Sequence, residues 1–193
     1  MPSFTIAILK KSEITALLQL QSDNLKINLD PQTIDSQGFV SFVYTPNIIE
    51  AMMQEEPQIV VKDNNLIIGY ALTTTLSYGE TLTLMKPLVQ LSRTLSFKNT
   101  PLSQLKYYIM GQVCVRTGYR GIGVFDSLYE GHKQFLSLKY DCVITEIADD
   151  NKRSLAAHRR LGFQTIHEYF DETSQKHWHV VLWDFNRTAG FSP

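Results

Sequence analysis

The chain has 193 residues, of which 44% are hydrophobic, and a formal net charge of −1 at pH 7. This size and hydrophobic content predict a single domain over residues 1–193 with one substantial core. The near-zero charge argues against nucleic-acid binding, and no apolar run approaches the ~20 residues needed to span a bilayer, which argues against a membrane partner.

The first predicted elements alternate between strands and helices. Residues 4–8 alternate like a half-buried strand, and a helix is predicted with Ser12 as its N-cap. A second helix is predicted near Thr45, with Pro46 in its first turn, where a missing N–H costs little. The Asp-Asn-Asn sequence at 63–65 separates two strand-like runs and predicts a hairpin.

The segment from Ser77 to Lys106 interrupts this alternation. Leu84, Leu88, Leu91 and Leu95 recur at helical spacing, which predicts a helix inserted between the third and fourth strands. Such a helix either packs against the core or walls a functional site, because long insertions in compact domains often carry function.

A turn with two glycines follows the strand predicted at Tyr107 to Val115. This glycine turn, Tyr119 to Phe125, precedes a helical pattern that starts at Val124. The first N–H groups of a helix lack partners and the helix dipole adds partial positive charge, so the turn suits a phosphate group. The residues match neither the G-x-G-x-x-G fingerprint nor a P-loop, which disfavours both nucleotide folds. An ordinary strand-to-helix connection is the alternative interpretation.

A second motif lies later in the chain, after a strand predicted at 141–148. It predicts a helix from Asn151 that ends in Leu161-Gly162-Phe163. In order, the two motifs resemble those of the GNAT superfamily of acyl-CoA N-acyltransferases. Arg120, Gly123 and Phe125 match its Gln/Arg-x-x-Gly-x-Gly/Ala loop, and Asn151 and Ser154 match its Asn-x-x-Ala/Ser helix. Phe125 replaces a small residue, so its ring must point away from the phosphates.

The resemblance implies an α/β protein with the GNAT fold, in which a mixed central β-sheet of about six to seven strands is flanked by helices. It implies an enzyme that transfers acetyl from acetyl-CoA to a primary amine by direct attack in a ternary complex. The acceptor would be a small-molecule amine or a peptide or protein amine, and a homodimer is left open. A non-catalytic acyl-CoA-binding domain is the alternative function.

The resemblance also implies which residues hold the coenzyme. Val113 and Val115 would offer main-chain groups to the pantetheine amides, and Asn151 and Ser154 would face the pantetheine arm. Asn151 is equally an ordinary helix N-cap. Arg120 would add charge beside the pyrophosphate, which would be bound by the backbone N–H groups of Gly121, Ile122, Gly123, Val124 and Phe125.

Two further residues are implied in proton transfer. An amine with a pKa near 10.4 must lose a proton before it attacks, and a thiolate leaves more readily if it is protonated. In the ribosomal-protein N-acetyltransferases of this family, a strand glutamate and a helix tyrosine stand where this chain has Glu146 and His158. Glu146 would then be the base and His158 the acid. The structural alternatives are that Lys152 or Arg153 holds Glu146 and that His158 pairs with a carbonyl.

The remaining cysteine and histidine residues predict no other chemistry. Cys114 and Cys142 lie in apolar strand-like runs, which is typical of buried thiols in a reducing compartment. His177 and His179 share a strand face, but no cysteine or carboxylate cluster completes a ligand set, so no metal site is predicted. The residues Met1 to Leu9 lack the pattern of a signal peptide, so we expect a cytoplasmic protein.

Overall fold

The computed structural model describes residues 4–185, leaving out the side chains of residues 35–37. Its α-helices are α1 (Ile14–Ser22), α2 (Pro31–Gln37), α3 (Pro46–Glu55), α4 (Leu76–Gly79), α5 (Lys86–Ser92), α6 (Val124–Leu136) and α7 (Lys152–Arg160). Its strands are β1 (Thr5–Ile8), β2 (Ile59–Asp63), β3 (Leu66–Thr74), β4 (Ser96–Phe97), β5 (Thr100–Pro101), β6 (Tyr107–Val115), β7 (Cys142–Ala148), β8 (Gln164–Asp171) and β9 (Lys176–Asp184).

Seven strands form one mixed sheet in the order β1-β2-β3-β6-β7-β9-β8, and β4 and β5 pair as a small separate hairpin. Neighbours in the large sheet are antiparallel except β6 and β7, which run parallel. The predicted mixed sheet flanked by helices is therefore confirmed. No helix within residues 4–185 is long and apolar enough to cross a membrane.

Both faces of the sheet are covered by helices. Helices α6 and α7 pack on one face against buried residues of β2, β3, β6 and β7. Helices α1 and α3 pack on the other face of β2 and β3. The inserted segment, through α5, covers the same face farther along, over β6, β7 and β9. The sheet therefore has a hydrophobic core on each face, and the inserted segment extends the core on the face that α1 and α3 cover.

Local patterns predicted most of these elements, but one prediction needs correction and one helix was missed. Ser12 does not cap a helix: a 3₁₀ turn spans Lys11–Glu13, and α1 begins at Ile14 without a side-chain cap. Helix α2 was not predicted, although the Asp30 carboxylate caps it by accepting the N–H of Thr33 at 2.9 Å.

The parallel pair β6 and β7 separates soon after it forms. Their pairing covers three residues of each strand and ends at Ile109 and Ile144. Beyond that point β6 stays paired with β3, and β7 stays paired with β9. The two strands consequently leave a cleft between them in the middle of the sheet.

A β-bulge in β6 lies at the start of this cleft. Leu72 pairs with Gln112 and Thr73 pairs with Met110, so Gly111 has no partner on β3. A Cβ atom at Gly111 would lie 2.5 Å from the hydroxyl oxygen of Tyr44. Glycine is therefore required here by close packing.

Candidate active site

The cleft opens into two adjoining cavities. The first cavity, about 590 Å³, lies beside the glycine turn and the exposed side of α7. The second cavity, about 570 Å³, lies beside α5, β7 and β8. Val113, Asn151 and Ser154 line both cavities, which places these residues where the two meet.

The sequence-predicted site residues divide between these cavities. Glu146 and His158 line the second. Ile122 is half exposed and Val124 is buried, and neither side chain lines the first cavity. The predicted coenzyme residues whose atoms line the first cavity are Val113, Val115, Arg120, Gly121, Gly123, Phe125, Asn151 and Ser154.

The glycine turn lies beside the first cavity, which Gly121, Gly123 and Phe125 line. Gly121 and Gly123 have φ angles of +79° and +94°, and no atom lies within 4 Å of a Cβ built on either. These glycines are therefore favoured by backbone conformation, and the space in front of them is open. The N–H of Ser127 bonds to the Gly123 carbonyl at 3.0 Å. The three amides before Ser127 precede the first helical bond of α6 and lack partners within the helix.

Arg120 anchors this turn. Its Nε donates to the Val115 carbonyl at 2.9 Å, and its guanidinium also bonds to the Asn24 side chain. Burial lowers the pKa of Arg120 from its usual value. Arg120 thus ties the turn to the end of β6 and to the segment after α1 while it still lines the cavity.

At Val113 and Val115, the predicted pantetheine positions, the backbone N–H and C=O groups of β6 point toward the cleft. The N–H of Arg116 bonds to the Ile68 carbonyl on β3 at 2.8 Å. Because successive strand residues direct their N–H and C=O groups to opposite sides, Val115 and Val113 direct theirs away from β3. The Arg120 bond to the Val115 carbonyl agrees with this direction. Val113 thus offers its backbone groups to the open cleft.

Asn151 caps α7. Its Oδ1 accepts the N–H of Ser154 at 3.3 Å, and its Nδ2 donates to the Phe39 carbonyl at 3.2 Å. The capping interpretation is therefore confirmed. Since both polar atoms of the amide already have partners within the protein, any contact of Asn151 with a coenzyme adds to this structural role.

Glu146 stands on β7 beyond the point where β7 leaves β6. Its carboxylate accepts a hydrogen bond from the Tyr169 hydroxyl at 2.7 Å. Burial raises the pKa of Glu146 above its usual value. Lys152, one of the alternative partners, bonds to Asp149 at 2.7 Å instead. Glu146 is thus a carboxylate held by one hydroxyl at the wall of a cavity, which suits a proton acceptor.

His158 is enclosed between α6 and α7. Its Nδ1 lies 2.8 Å from the Ser154 carbonyl and must donate there, so Nε2 accepts the Tyr129 hydroxyl at 2.7 Å. The Phe125 ring packs against it with centroids 5.1 Å apart, and the Phe163 ring packs at 4.9 Å. Burial lowers the pKa of His158 to about 4.

This geometry does not fit the predicted acid role of His158. The ring is neutral near pH 7, and its single N–H already bonds to a backbone carbonyl. The alternative, a histidine paired with a carbonyl, is what the structure shows. The position of His158 matched the resemblance although its residue type did not, and the enclosure depends on Phe125 and Tyr129, which lie about 30 residues earlier on α6.

Solved structures share this architecture, whereas no family sequence profile and no curated protein matches the chain. The ribosomal-protein-S18-alanine N-acetyltransferase from Escherichia coli is 11% identical, with a TM-score of 0.62 over 99% of both chains. The putative acetyltransferase yncA from Salmonella typhimurium, with its cofactor acetyl-CoA, is 14% identical, with a TM-score of 0.61 over 96% of both chains. A chain of the NatC complex bound to Gag peptide and CoA is 13% identical, with a TM-score of 0.61 over 94% of this chain and 98% of that one.

The chain has the GNAT fold. At these identities the likeness establishes the fold alone. Two arginines beyond those that the resemblance implies line the cleft of this GNAT fold. Arg153 and Arg160 of α7 line the first cavity, and Arg160 pairs with the Asp126 carboxylate at the start of α6. Their spacing of seven residues along one helix face was the available signal.

The insertion contributes to the second cavity of the GNAT fold. Thr83, Leu84, Met85, Pro87 and Leu88 line it. Met85 and Leu88 also belong to the core beneath α5. The segment therefore packs against the sheet and walls a cavity at once. Within residues 4–185, no group of three His, Cys, Asp or Glu side chains is placed to hold a metal ion.

We expect the stability of this GNAT fold to fall below pH 6.5. Burial lowers the pKa of both His158 and His132 to about 4, whereas histidine in an unfolded chain titrates near 6.5. Between these two pKa values the unfolded state binds more protons than the folded state. The free energy of unfolding therefore decreases by about 1.4 kcal/mol for each histidine per unit that the pH is lowered. Urea unfolding at pH 7 and pH 5 measures the loss. His158→Gln should remove about half of the slope, and a stability independent of pH would contradict the buried neutral state.

Proposed function

We propose that the protein is an N-acetyltransferase that transfers acetyl from acetyl-CoA to a primary amine. The observation that carries this proposal is the cleft itself, in which a glycine turn at a helix N-terminus and a partly buried carboxylate line two cavities that meet. The neighbours with bound acetyl-CoA or CoA support the co-substrate. The neighbours whose names specify ribosomal-protein alanine and a bound peptide support an amine acceptor.

The first cavity suits the CoA part of the co-substrate. We assign the pyrophosphate to the backbone N–H groups of residues 121–125, with the positive charge of Arg120 beside them. The main chain of Val113 and Val115 would meet the pantetheine amides, and Asn151 and Ser154 would flank the pantetheine arm where the cavities join. The thioester would then lie next to the second cavity.

Glu146 is the proposed general base. An amine with a pKa near 10.4 arrives as an ammonium ion, and Glu146 takes its proton directly or through a water molecule. The amine nitrogen then attacks the thioester carbonyl carbon, and the carbon–sulfur bond breaks with its electron pair on sulfur. A thiol has a pKa near 8.5, so the thiolate leaves without a dedicated acid. Transfer is direct, without a covalent enzyme intermediate.

His158 then acts as a positioning residue. Its bond to Tyr129 joins α7 to α6, and its bond to the Ser154 carbonyl lies within the first turns of α7. These contacts hold the N-terminal part of α7, which carries Asn151 and Ser154, against the cleft.

A second candidate function is a non-catalytic acyl-CoA-binding domain. It is favoured by the enclosure of His158, which leaves Glu146 as the one proton-transfer group among the residues we assign to the site. The same residues of the first cavity would bind the coenzyme in either case.

One assay separates these candidates. The protein is incubated with acetyl-CoA and chemically distinct primary amines, and released CoA thiol and acetylated amine are measured. We expect amine-dependent thiol release in equal amount to the acetylated amine. Tight CoA binding without transfer to any amine would favour the second candidate, and failure to bind CoA would contradict both.

A further inference from the structure

The second cavity has predominantly apolar walls on the side of the inserted segment. Leu84, Met85 and Leu88 come from α5 and the residues before it, and Phe42 and Trp178 add aromatic surface. Leu84 is 66% exposed, although it lies in a segment whose other leucines are largely covered. An exposed leucine at the edge of a cavity offers apolar surface to a ligand without being needed for the core.

The charge that this cavity does carry is negative. Glu146 and Asp171 line it, and no lysine or arginine is among the described residues that do so. The Asp171 carboxylate accepts the N–H groups of Thr173 and Ser174 at 3.2 and 3.0 Å. The hydrogen bonding by Ser174 lowers the pKa of Asp171, so it is ionised at neutral pH. His158 brings no positive charge, because its ring is neutral.

We propose that the second cavity selects a primary amine attached to an apolar group and rejects amines that carry a carboxylate beside the nitrogen. This inference rests on the proposed function and names its acceptor class. The ammonium group faces Glu146, and the apolar group lies against Leu84 and the rings.

Charge explains the exclusion of free amino acids. Their carboxylate would enter a cavity whose described lining includes two acidic side chains and no lysine or arginine, so it would lose its hydration without gaining a partner. An amide or a peptide bond at the same position removes this charge. A polyamine would instead place a second ammonium against the apolar wall, where desolvation of the charge is unfavourable.

Matched acceptors test the proposal. We expect kcat/KM for L-phenylalaninamide to exceed that for L-phenylalanine by at least about tenfold, since the two differ in one charge. L-Phenylalaninamide should also exceed glycinamide, which lacks the apolar group, and spermidine. If kcat/KM is higher for a peptide with N-terminal phenylalanine than for L-phenylalaninamide, the acceptor is a polypeptide. If kcat/KM is higher for L-phenylalaninamide, the acceptor is a small amine. Both results support the proposal.

Two variants locate the selectivity. Asp171→Asn keeps the turn-forming side chain but removes its charge, and it should reduce the preference for the amide over L-phenylalanine. Leu84→Ser should lower kcat/KM for L-phenylalaninamide several-fold and leave that for glycinamide and the KM for acetyl-CoA unchanged. Leu138→Ser is the matched control, because Leu138 is fully exposed two residues after α6 and lines neither cavity.

The outcomes distinguish this proposal from the proposed function. Acetylation of L-phenylalanine as fast as its amide, or a preference for spermidine or glycinamide, would overturn the acceptor class while leaving the acetyltransferase activity intact. CoA binding without acetylation of any of these amines would instead overturn the proposed function, and this inference with it.

Discussion

Replacing Glu146 by glutamine is expected to lower kcat by about 10²–10⁴-fold, the usual contribution of a positioned general base. Glutamine has the same size, and its amide oxygen can accept the Tyr169 hydroxyl bond that holds the carboxylate at 2.7 Å. It cannot accept a proton from the ammonium group. The KM for acetyl-CoA should change little, because Glu146 lines the second cavity and not the first. Steady-state kinetics with an amine that the enzyme accepts measures both quantities.

The pH profile adds a second readout. Burial raises the pKa of Glu146, and the proposed base works only when ionised, so kcat of the native protein should fall as pH falls through that raised pKa. The Glu146→Gln variant should lack this decline of kcat at low pH. Glu130→Gln is the control, since Glu130 is exposed on α6 and lines neither cavity. Full kcat in Glu146→Gln across the pH range would mean that catalysis relies on positioning alone.

Replacing Gly123 by aspartate should abolish CoA binding. A carboxylate would then stand at the amides proposed to bind the pyrophosphate, and like charges repel strongly at close range. The aspartate would also occupy a φ of +94°, which costs about 1 kcal/mol for a residue with a Cβ. Calorimetric titration with CoA measures the affinity.

Gly118→Asp separates charge from backbone strain. Gly118 has a φ of +87° and open space around a built Cβ, as Gly123 does, but it does not line the first cavity. Both variants should melt at similar temperatures, and only Gly123→Asp should lose CoA. Equal loss in both variants, or unchanged affinity in Gly123→Asp, would rule out the proposed anion site.

Local patterns predicted the parts of the site that depend on neighbours in sequence. The strand Tyr107–Val115 was predicted with the bounds that it has, because its β-branched and aromatic run is continuous. The glycine turn and the start of α6 followed from two glycines before an amphipathic pattern. These features need only a few consecutive residues to be recognised.

Long-range contacts account for what the sequence did not reveal. The carbonyls of Phe39 and Phe42 bond to Asn151 and Gln112, partners 112 and 70 residues away. No pattern within the segment between α2 and α3 indicates that it borders both cavities. His158 is a similar case, because Tyr129 and Phe125, which help to enclose it, both lie on another helix.

The bulge at Gly111 sets the phase of β6. Before it, the Met110 carbonyl points toward β7 and accepts the Thr145 hydroxyl at 3.0 Å. In an uninterrupted strand the carbonyls of Gln112 and Cys114, two and four residues after Met110, would point the same way. Beyond the bulge it is instead Val113 and Val115 whose backbone groups face the cleft. Deleting one residue here would exchange the backbone groups proposed to meet the coenzyme for those that bind β3. The number of residues in β6 is therefore as much a determinant of the site as any side chain that lines it.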